Sequence, residues 1–105
     1  MTEKQLDIIC GDALLELSKL DSDSVDLIIA DPPYNLGKDY GNDSDNKEFN
    51  EYIEFTKKWT SEAKRVLKPS GTLYIFMGFR FISYLYRVLE RDQKLLFNNW
   101  ICWHY

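Results

Sequence analysis

The sequence is poor in the residues that several common functions require. It has one histidine and two cysteines, Cys10 and Cys102, far apart in the chain. A structural zinc needs about four clustered ligands, so no metal site is expected. Both cysteines lie in apolar strand-like runs and are expected as reduced core thiols in a cytoplasmic protein. There is no apolar run of membrane-spanning length and no signal peptide, so neither a membrane nor secretion is expected. A cation surplus is also lacking. Thirteen Lys and Arg face seventeen Asp and Glu, for a net charge of −4. That argues against a self-sufficient nucleic-acid binder, whose footprint is a basic face. No internal repeat or low-complexity tract occurs.

What is present suits one small domain. The 105 residues are 45% apolar and 15% aromatic, enough for a real core. A domain of this size buries only about two-thirds of its unfolded surface, so its stability is expected to be marginal.

One stretch organises the rest. Val25 to Asn35 reads V-D-L-I-I-A-D-P-P-Y-N. Leu27 to Ala30 carry no polar alternation, which predicts a strand buried on both faces of a parallel sheet. Asp31 then falls at the carboxyl end, where open α/β sheets bind ligands. Pro32 and Pro33 fix their own φ, restrict the residue before each, and lack N–H donors. The result is a stiff extended corner offering a carboxylate, free carbonyls and the Tyr34 ring. Such a corner can accept hydrogen bonds from an amino group on a planar heterocycle while the ring stacks on it. A plain Pro-rich turn is the alternative for D-P-P alone.

The chain on either side reads as alternating strands and helices. Leu6 to Cys10 predicts a first strand, and Ala13 to Leu20 a short helix with Asp12 as N-cap. With the strand from Val25 to Ala30, this makes a βαβ unit and a parallel pair. Leu36 to Lys47 is rich in Gly, Asp and Asn and predicts a loop, either a connector or a lid. Glu48 to Leu67 predicts a helix. Phe49, Tyr52, Ile53, Thr56, Trp59, Ala63, Val66 and Leu67 fall on one face, with Trp59 in the core. Asp45 and Glu48 are spaced as a capping box, and Glu54 and Lys58 as an ion pair. Lys68-Pro69-Ser70-Gly71 predicts a turn, Thr72 to Met77 a third strand, and Phe79 to Arg91 a second long helix. Leu95 to Phe97 and Trp100 to Tyr105 predict a final strand or pair. An apolar aromatic end without a polar finish suggests a fragment.

Four blocks in this order resemble a known family. They are I-I-C-G-D-A-L at Ile8 to Leu14, D-L-I-I-A-D-P-P-Y-N at Asp26 to Asn35, R-V-L-K-P-S-G-T-L-Y-I-F at Arg65 to Phe76, and N-W-I-C-W-H at Asn99 to His104. The chain resembles the amino-terminal part of amino-group DNA methyltransferases that use S-adenosylmethionine. The likeness is to the adenine-N6 type in which D-P-P-Y precedes the glycine-rich cofactor loop. It implies a partial Rossmann-like α/β fold, a mostly parallel sheet with flanking helices, with residues 1–105 as the amino-terminal part of the catalytic domain.

The resemblance also implies roles. Asp31 and the Pro33 carbonyl would accept the hydrogens of the target amine, and Tyr34 would stack on an extruded base. Asp31 and Pro32 would lie near the methionine end of the cofactor. Asp12 would bond the cofactor adenine, with Cys10, Gly11 and Ala13 lining that pocket. The partner would be double-stranded DNA, held mainly by regions absent from this chain. Oligomeric state is open, with a homodimer compatible with the apolar terminus.

The family's glycine-rich loop does not occur here, so Asp12 is expected to form one side of a pocket. In the N4-cytosine branch Ser usually replaces Asp31, which makes N6-adenine the first expectation and N4-cytosine the alternative. Methylation at cytosine C5 is excluded, because that family's nucleophilic Cys follows Pro. Here Ile9 precedes Cys10 and Ile101 precedes Cys102. A non-catalytic remnant or interaction module that keeps the fold is a further alternative.

Overall fold

The computed structural model describes residues 5–37 and 47–104. Its elements are helix α1 (Ala13–Ser18), strand β1 (Val25–Ala30), helix α2 (Phe49–Val66), strand β2 (Leu67–Ile75), helix α3 (Ile82–Arg87) and a π-helical turn over Val88–Asp92. The two strands pair in parallel, with Leu27 opposite Thr72 and Ala30 opposite Ile75. The parallel connection expected of the sequence is therefore made by α2, not by α1. This is a small α/β architecture with helices flanking a parallel pair, consistent with part of a Rossmann-like methyltransferase fold.

Helix α2 builds the core. Tyr52, Thr56, Trp59, Thr60, Ala63 and Val66 are buried along one stripe, as the helical period predicts, but Phe49, expected on the same face at the start of the helix, is exposed. The two threonines are tolerated there because each hydroxyl bonds within the helix. Thr56 Oγ1 donates to the Tyr52 carbonyl at 2.8 Å, and Thr60 Oγ1 to the Thr56 carbonyl at 2.6 Å. Trp59 is a core residue, 8% exposed. Tyr52, Phe81 and Leu85 pack together, with Ile75 at the end of β2 and Met77 just beyond it against them.

The far end of α2 meets the start of β1. The N–H groups of Asp23 and Ser24 donate to the carbonyls of Arg65 and Val66 at 3.0 and 2.8 Å. These are carbonyls a helix end leaves without intrahelical partners. Arg65 adds bonds to Ser22 Oγ and the Leu17 carbonyl, both at 3.0 Å, and to Glu62 at 2.6 Å. The turn before β1 is thus fixed to the helix that leads into β2.

Several expectations are corrected. Residues 6–10 form no strand, and Leu6, Ile8 and Ile9 are exposed. An apolar run becomes a strand only where a ladder partner and a covering layer exist, and among the described residues it has neither. Strand β1 is covered on one face only. Ile28 and Ala30 are half-buried, while Leu27 and Ile29 are 51% and 64% exposed.

Residues 68–71 do not form a separate turn. They bulge within β2, where Val25 pairs with Leu67 but Leu27 with Thr72. Glu54 pairs with Lys57 at 3.7 Å, not with Lys58. Glu48 is the N-cap without a side-chain bond, and Asp45 lies outside the described residues, as does most of the loop from Leu36 to Lys47.

The second long helix is α3 followed by the π-helical turn. That wider turn brings Gln93 onto α2, where its amide donates to the Lys57 carbonyl and to Thr60 Oγ1, each at 3.1 Å. Residues 95–104 form no strand, and Leu96, Trp100, Ile101 and Trp103 are exposed; Cys102 and Cys10, expected in the core, are exposed as well. Tyr105 lies outside the described residues.

Gly71 sits where the bulge crosses β1. An added Cβ would lie 2.6 Å from Leu67 Cδ1 and 3.0 Å from the Asp26 carbonyl oxygen. Leu67 is buried and the carbonyl belongs to backbone, so neither yields freely. Gly71→Ala is expected to destabilise the chain by about 1–3 kcal/mol, as overpacking does. Denaturant unfolding with an unchanged m-value would measure it.

Candidate active site

The carboxyl ends of both strands meet. The Phe76 N–H donates to the Ala30 carbonyl at 2.9 Å, so the residues following β1 and β2 emerge side by side. After β1 come Asp31, exposed, and Pro32, Pro33 and Tyr34, half-buried. After β2 come Phe76, Met77 and Gly78. A Cβ on Gly78 would stand 3.8 Å from the Tyr34 ring. That is ordinary van der Waals contact, so Gly78 and Tyr34 are simply neighbours.

Within the corner, the Tyr34 hydroxyl donates to Asp31 Oδ1 at 2.8 Å. A carboxylate acceptor makes this a strong bond, and it sets the ring's position relative to the charge. Asp31 Oδ2 takes no partner among the described residues. The Pro33 carbonyl accepts from the Tyr52 hydroxyl on α2. This donor is distant in sequence, so the expectation of a carbonyl without a local partner holds only locally. A carbonyl has two lone pairs, and one stays open. The structure thus brings Asp31, Pro33 and Tyr34 together on one corner.

The other predicted group lies at the start of α1. Asp12 is the N-cap, its Oδ1 accepting from the N–H groups of Leu14 and Leu15 at 2.9 and 3.2 Å. Oδ2 is unengaged among the described residues. Cys10, Gly11, Asp12 and Ala13 are all exposed. They form a ledge rather than a closed pocket, because residues 6–10 are not held in a sheet. The donor set still fits an adenine amino group, since an unengaged carboxylate oxygen beside small residues accepts such a hydrogen. A groove of about 330 Å³ between α2 and α3, lined by Ile53, Lys57, Tyr84, Arg87 and Arg91 among others, includes none of the predicted site residues.

Sequence reasoning missed three contributors. Tyr52 looked like core alone, and its burial at 1% hides a hydroxyl aimed at the corner. Asn35 was only the last letter of a motif. Its side chain in fact donates to the Lys47 carbonyl at 2.9 Å and accepts from the Lys47 N–H at 2.6 Å. Gly78 carried no signal beyond ending a strand.

The corner thus joins a carboxylate, a carbonyl and a ring at a strand end. The DNA methylase family model (N6_N4_Mtase) matches residues 25–105. The chain belongs to this family. It is 56% identical over 98 residues to the type II methyltransferase M.HpaI of Haemophilus parainfluenzae, covering 93% of this chain and 31% of that protein. It is 41% identical over 92 residues to the type II methyltransferase M.BamHI of Bacillus amyloliquefaciens, covering 87% and 21%. It is 46% identical over 68 residues to the DNA adenine methyltransferase YhdJ of Escherichia coli, covering 65% and 23%. The chain therefore spans at most about a third of these curated relatives. Among the described residues, no helix is long and apolar enough to cross a membrane.

Asp12 makes a testable structural contribution of its own. Asp12→Ala should cost about 1 kcal/mol and reduce the helicity of α1, whereas Asp12→Asn should keep most of both, since Asn also caps well. Circular dichroism and denaturant unfolding read the difference.

Proposed function

We propose that this segment is the amino-terminal, target-amine-binding part of the catalytic domain of a DNA methyltransferase that uses S-adenosylmethionine and acts on the N6 amino group of adenine. The observation that carries the reading is the pair of acceptors, Asp31 and the Pro33 carbonyl, on one rigid corner beside Tyr34. An exocyclic amine is a poor nucleophile because its lone pair is delocalised into the ring. Two fixed acceptors draw its hydrogens out of that arrangement and favour a tetrahedral nitrogen, whose lone pair then points away from the ring. This is catalysis by orientation and preorganised electrostatics, without a covalent intermediate on the protein. The Tyr34 ring supports the heterocycle, which must leave the duplex stack to reach the corner.

Bound S-adenosylmethionine would supply the methyl group as an electrophile, its sulfur keeping the C–S electron pair. The residues that would hold it are Asp12, through its unengaged oxygen at the adenine end, with Cys10, Gly11 and Ala13 around it, and Asp31 and Pro32 toward the methionine end. The Asp31 charge would favour the cationic sulfonium, and the amine would give up one proton on the Asp31 side. Double-stranded DNA would be held mainly by residues outside this segment, given the net charge of −4.

The relatives favour adenine through one of their number, described as a DNA adenine methyltransferase. Cytosine N4 is the second reading, because the matching family model bears both N6 and N4 in its name.

The test uses two proteins: the 105-residue chain, and a chimera in which it replaces its 98-residue match in the Haemophilus parainfluenzae enzyme. The chain alone should transfer no label from S-adenosylmethionine to mixed DNA. The chimera should form N6-methyladenine, detected by mass spectrometry of the digested DNA. Asp31→Ala in the chimera should remove transfer while leaving cofactor binding partly intact. N4-methylcytosine as the product would replace the first reading by the second. Full transfer by Asp31→Ala would sink the role given to Asp31.

A further inference from the structure

We propose that Tyr52 and Asn35 are positioning residues for the corner from Asp31 to Tyr34, Tyr52 by holding the Pro33 carbonyl and Asn35 by fixing the corner's exit to the start of α2. The catalytic consequence rests on the methyltransferase reading above. The structural claim rests on the hydrogen bonds alone.

Tyr52 is buried and packed on its neighbours. Its ring is 1% exposed, meets Phe81 edge-on at 4.4 Å and stacks on Phe55 at 6.0 Å. Its hydroxyl donates to the Pro33 carbonyl, with Met77 Sδ 3.7 Å away. The buried ring therefore transmits the rigidity of the core to one carbonyl on the surface. A carbonyl that already accepts one hydrogen bond has its direction fixed and keeps one lone pair for a substrate amine.

Asn35 works at the other end of the corner. Its φ of +62° lies in the left-handed region, where Asn is among the few tolerated side chains. The chain bends at the next residue, Leu36. The Asn35 side-chain amide pairs with both backbone groups of Lys47, across twelve residues of sequence. Lys47 precedes Glu48, the N-cap of α2, and Tyr52 closes the first turn by donating its N–H to the Glu48 carbonyl at 2.9 Å. Both anchors thus reach the same turn of the same helix. The acceptors Asp31 and Pro33 lie between β1, which fixes one end of the corner, and these two bonds, which fix the other.

Misplacement of reacting groups by about 1 Å can cost about 100-fold in rate. Tyr52→Phe keeps the packed ring and removes only the hydroxyl. Asn35→Gly keeps the backbone conformation without strain and removes the clasp.

In the 105-residue chain, Tyr52→Phe should shift the Pro33 carbonyl ¹³C resonance. Asn35→Gly should raise the exchange rate of the Lys47 amide about 10-fold, as for loss of a local closed state. In the chimera described above, each variant should lower kcat about 10- to 100-fold, with KM for DNA changed less than about 3-fold. Asn35→Asp, which keeps the acceptor for the Lys47 N–H, should restore part of the loss. An unmoved Pro33 resonance and unchanged Lys47 exchange would overturn the proposal. So would a loss confined to KM, or full kcat after both bonds are gone. A wild-type chimera that transfers no methyl would defeat the methyltransferase reading, and the two resonance measurements would still decide the positioning.

Discussion

Helix α2 is tied to both ends of β1, and the described structure depends on that double attachment. At one end its last carbonyls accept from Asp23 and Ser24, the residues that enter the strand. At the other, its first turn donates from Tyr52 to Pro33, just past the strand's end. The strand cannot slide without breaking one set or the other. Because α2 runs directly into β2, the same attachment brings Leu67 beside Val25 and sets the parallel pairing. The bulge at residues 68–71 then absorbs the difference between the helix exit and the strand's register, which is why Gly71 must lack a side chain.

The elements most legible in the sequence were those that carry their own reason to form. Helix α2 has a continuous apolar stripe, α1 has an N-cap acid, and β1 is an apolar run closed by two prolines. Each holds at or near its expected boundaries. The failures share one cause. Leu6 to Cys10 and Trp100 to His104 have strand composition, but a strand is defined by its neighbours, and composition does not supply a ladder partner. Likewise α3 was legible as a helix but not as one that widens into a π-helical turn. That widening follows from where Gln93 finds acceptors on α2, a tertiary fact absent from local periodicity.

The site divides along the same line. Asp31, Pro33 and Tyr34 were legible because proline chemistry alone dictates a stiff corner, and the structure groups them. What held the corner was not legible. Tyr52 lies on an apolar stripe, where its hydroxyl gives no signal, and the clasp of Asn35 on Lys47 joins positions twelve apart. Gly11 to Ala13 show the converse case. Their residue types fit an acceptor ledge, and Asp12 does cap α1, yet nothing local could show that the preceding run would leave them exposed.

On the proposed reading, this segment contributes chemistry rather than affinity. A duplex carries a dense line of phosphates, and binding draws most of its strength from neutralising them. Here the corner presents a carboxylate, the ledge presents another, and the chain as a whole is acidic. Its ion pairs are exposed or half-exposed side-chain pairs such as Lys19 with Glu16 and Lys68 with Asp26. Such pairs add little to stability and offer no spare positive field. An acidic corner is nevertheless what an amine donor and a sulfonium require. The charge that suits the reacting atoms is opposite to the charge that suits the polymer carrying them. Separating the two along the polypeptide removes that conflict, and it leaves the corner free to be as electronegative as the amine demands.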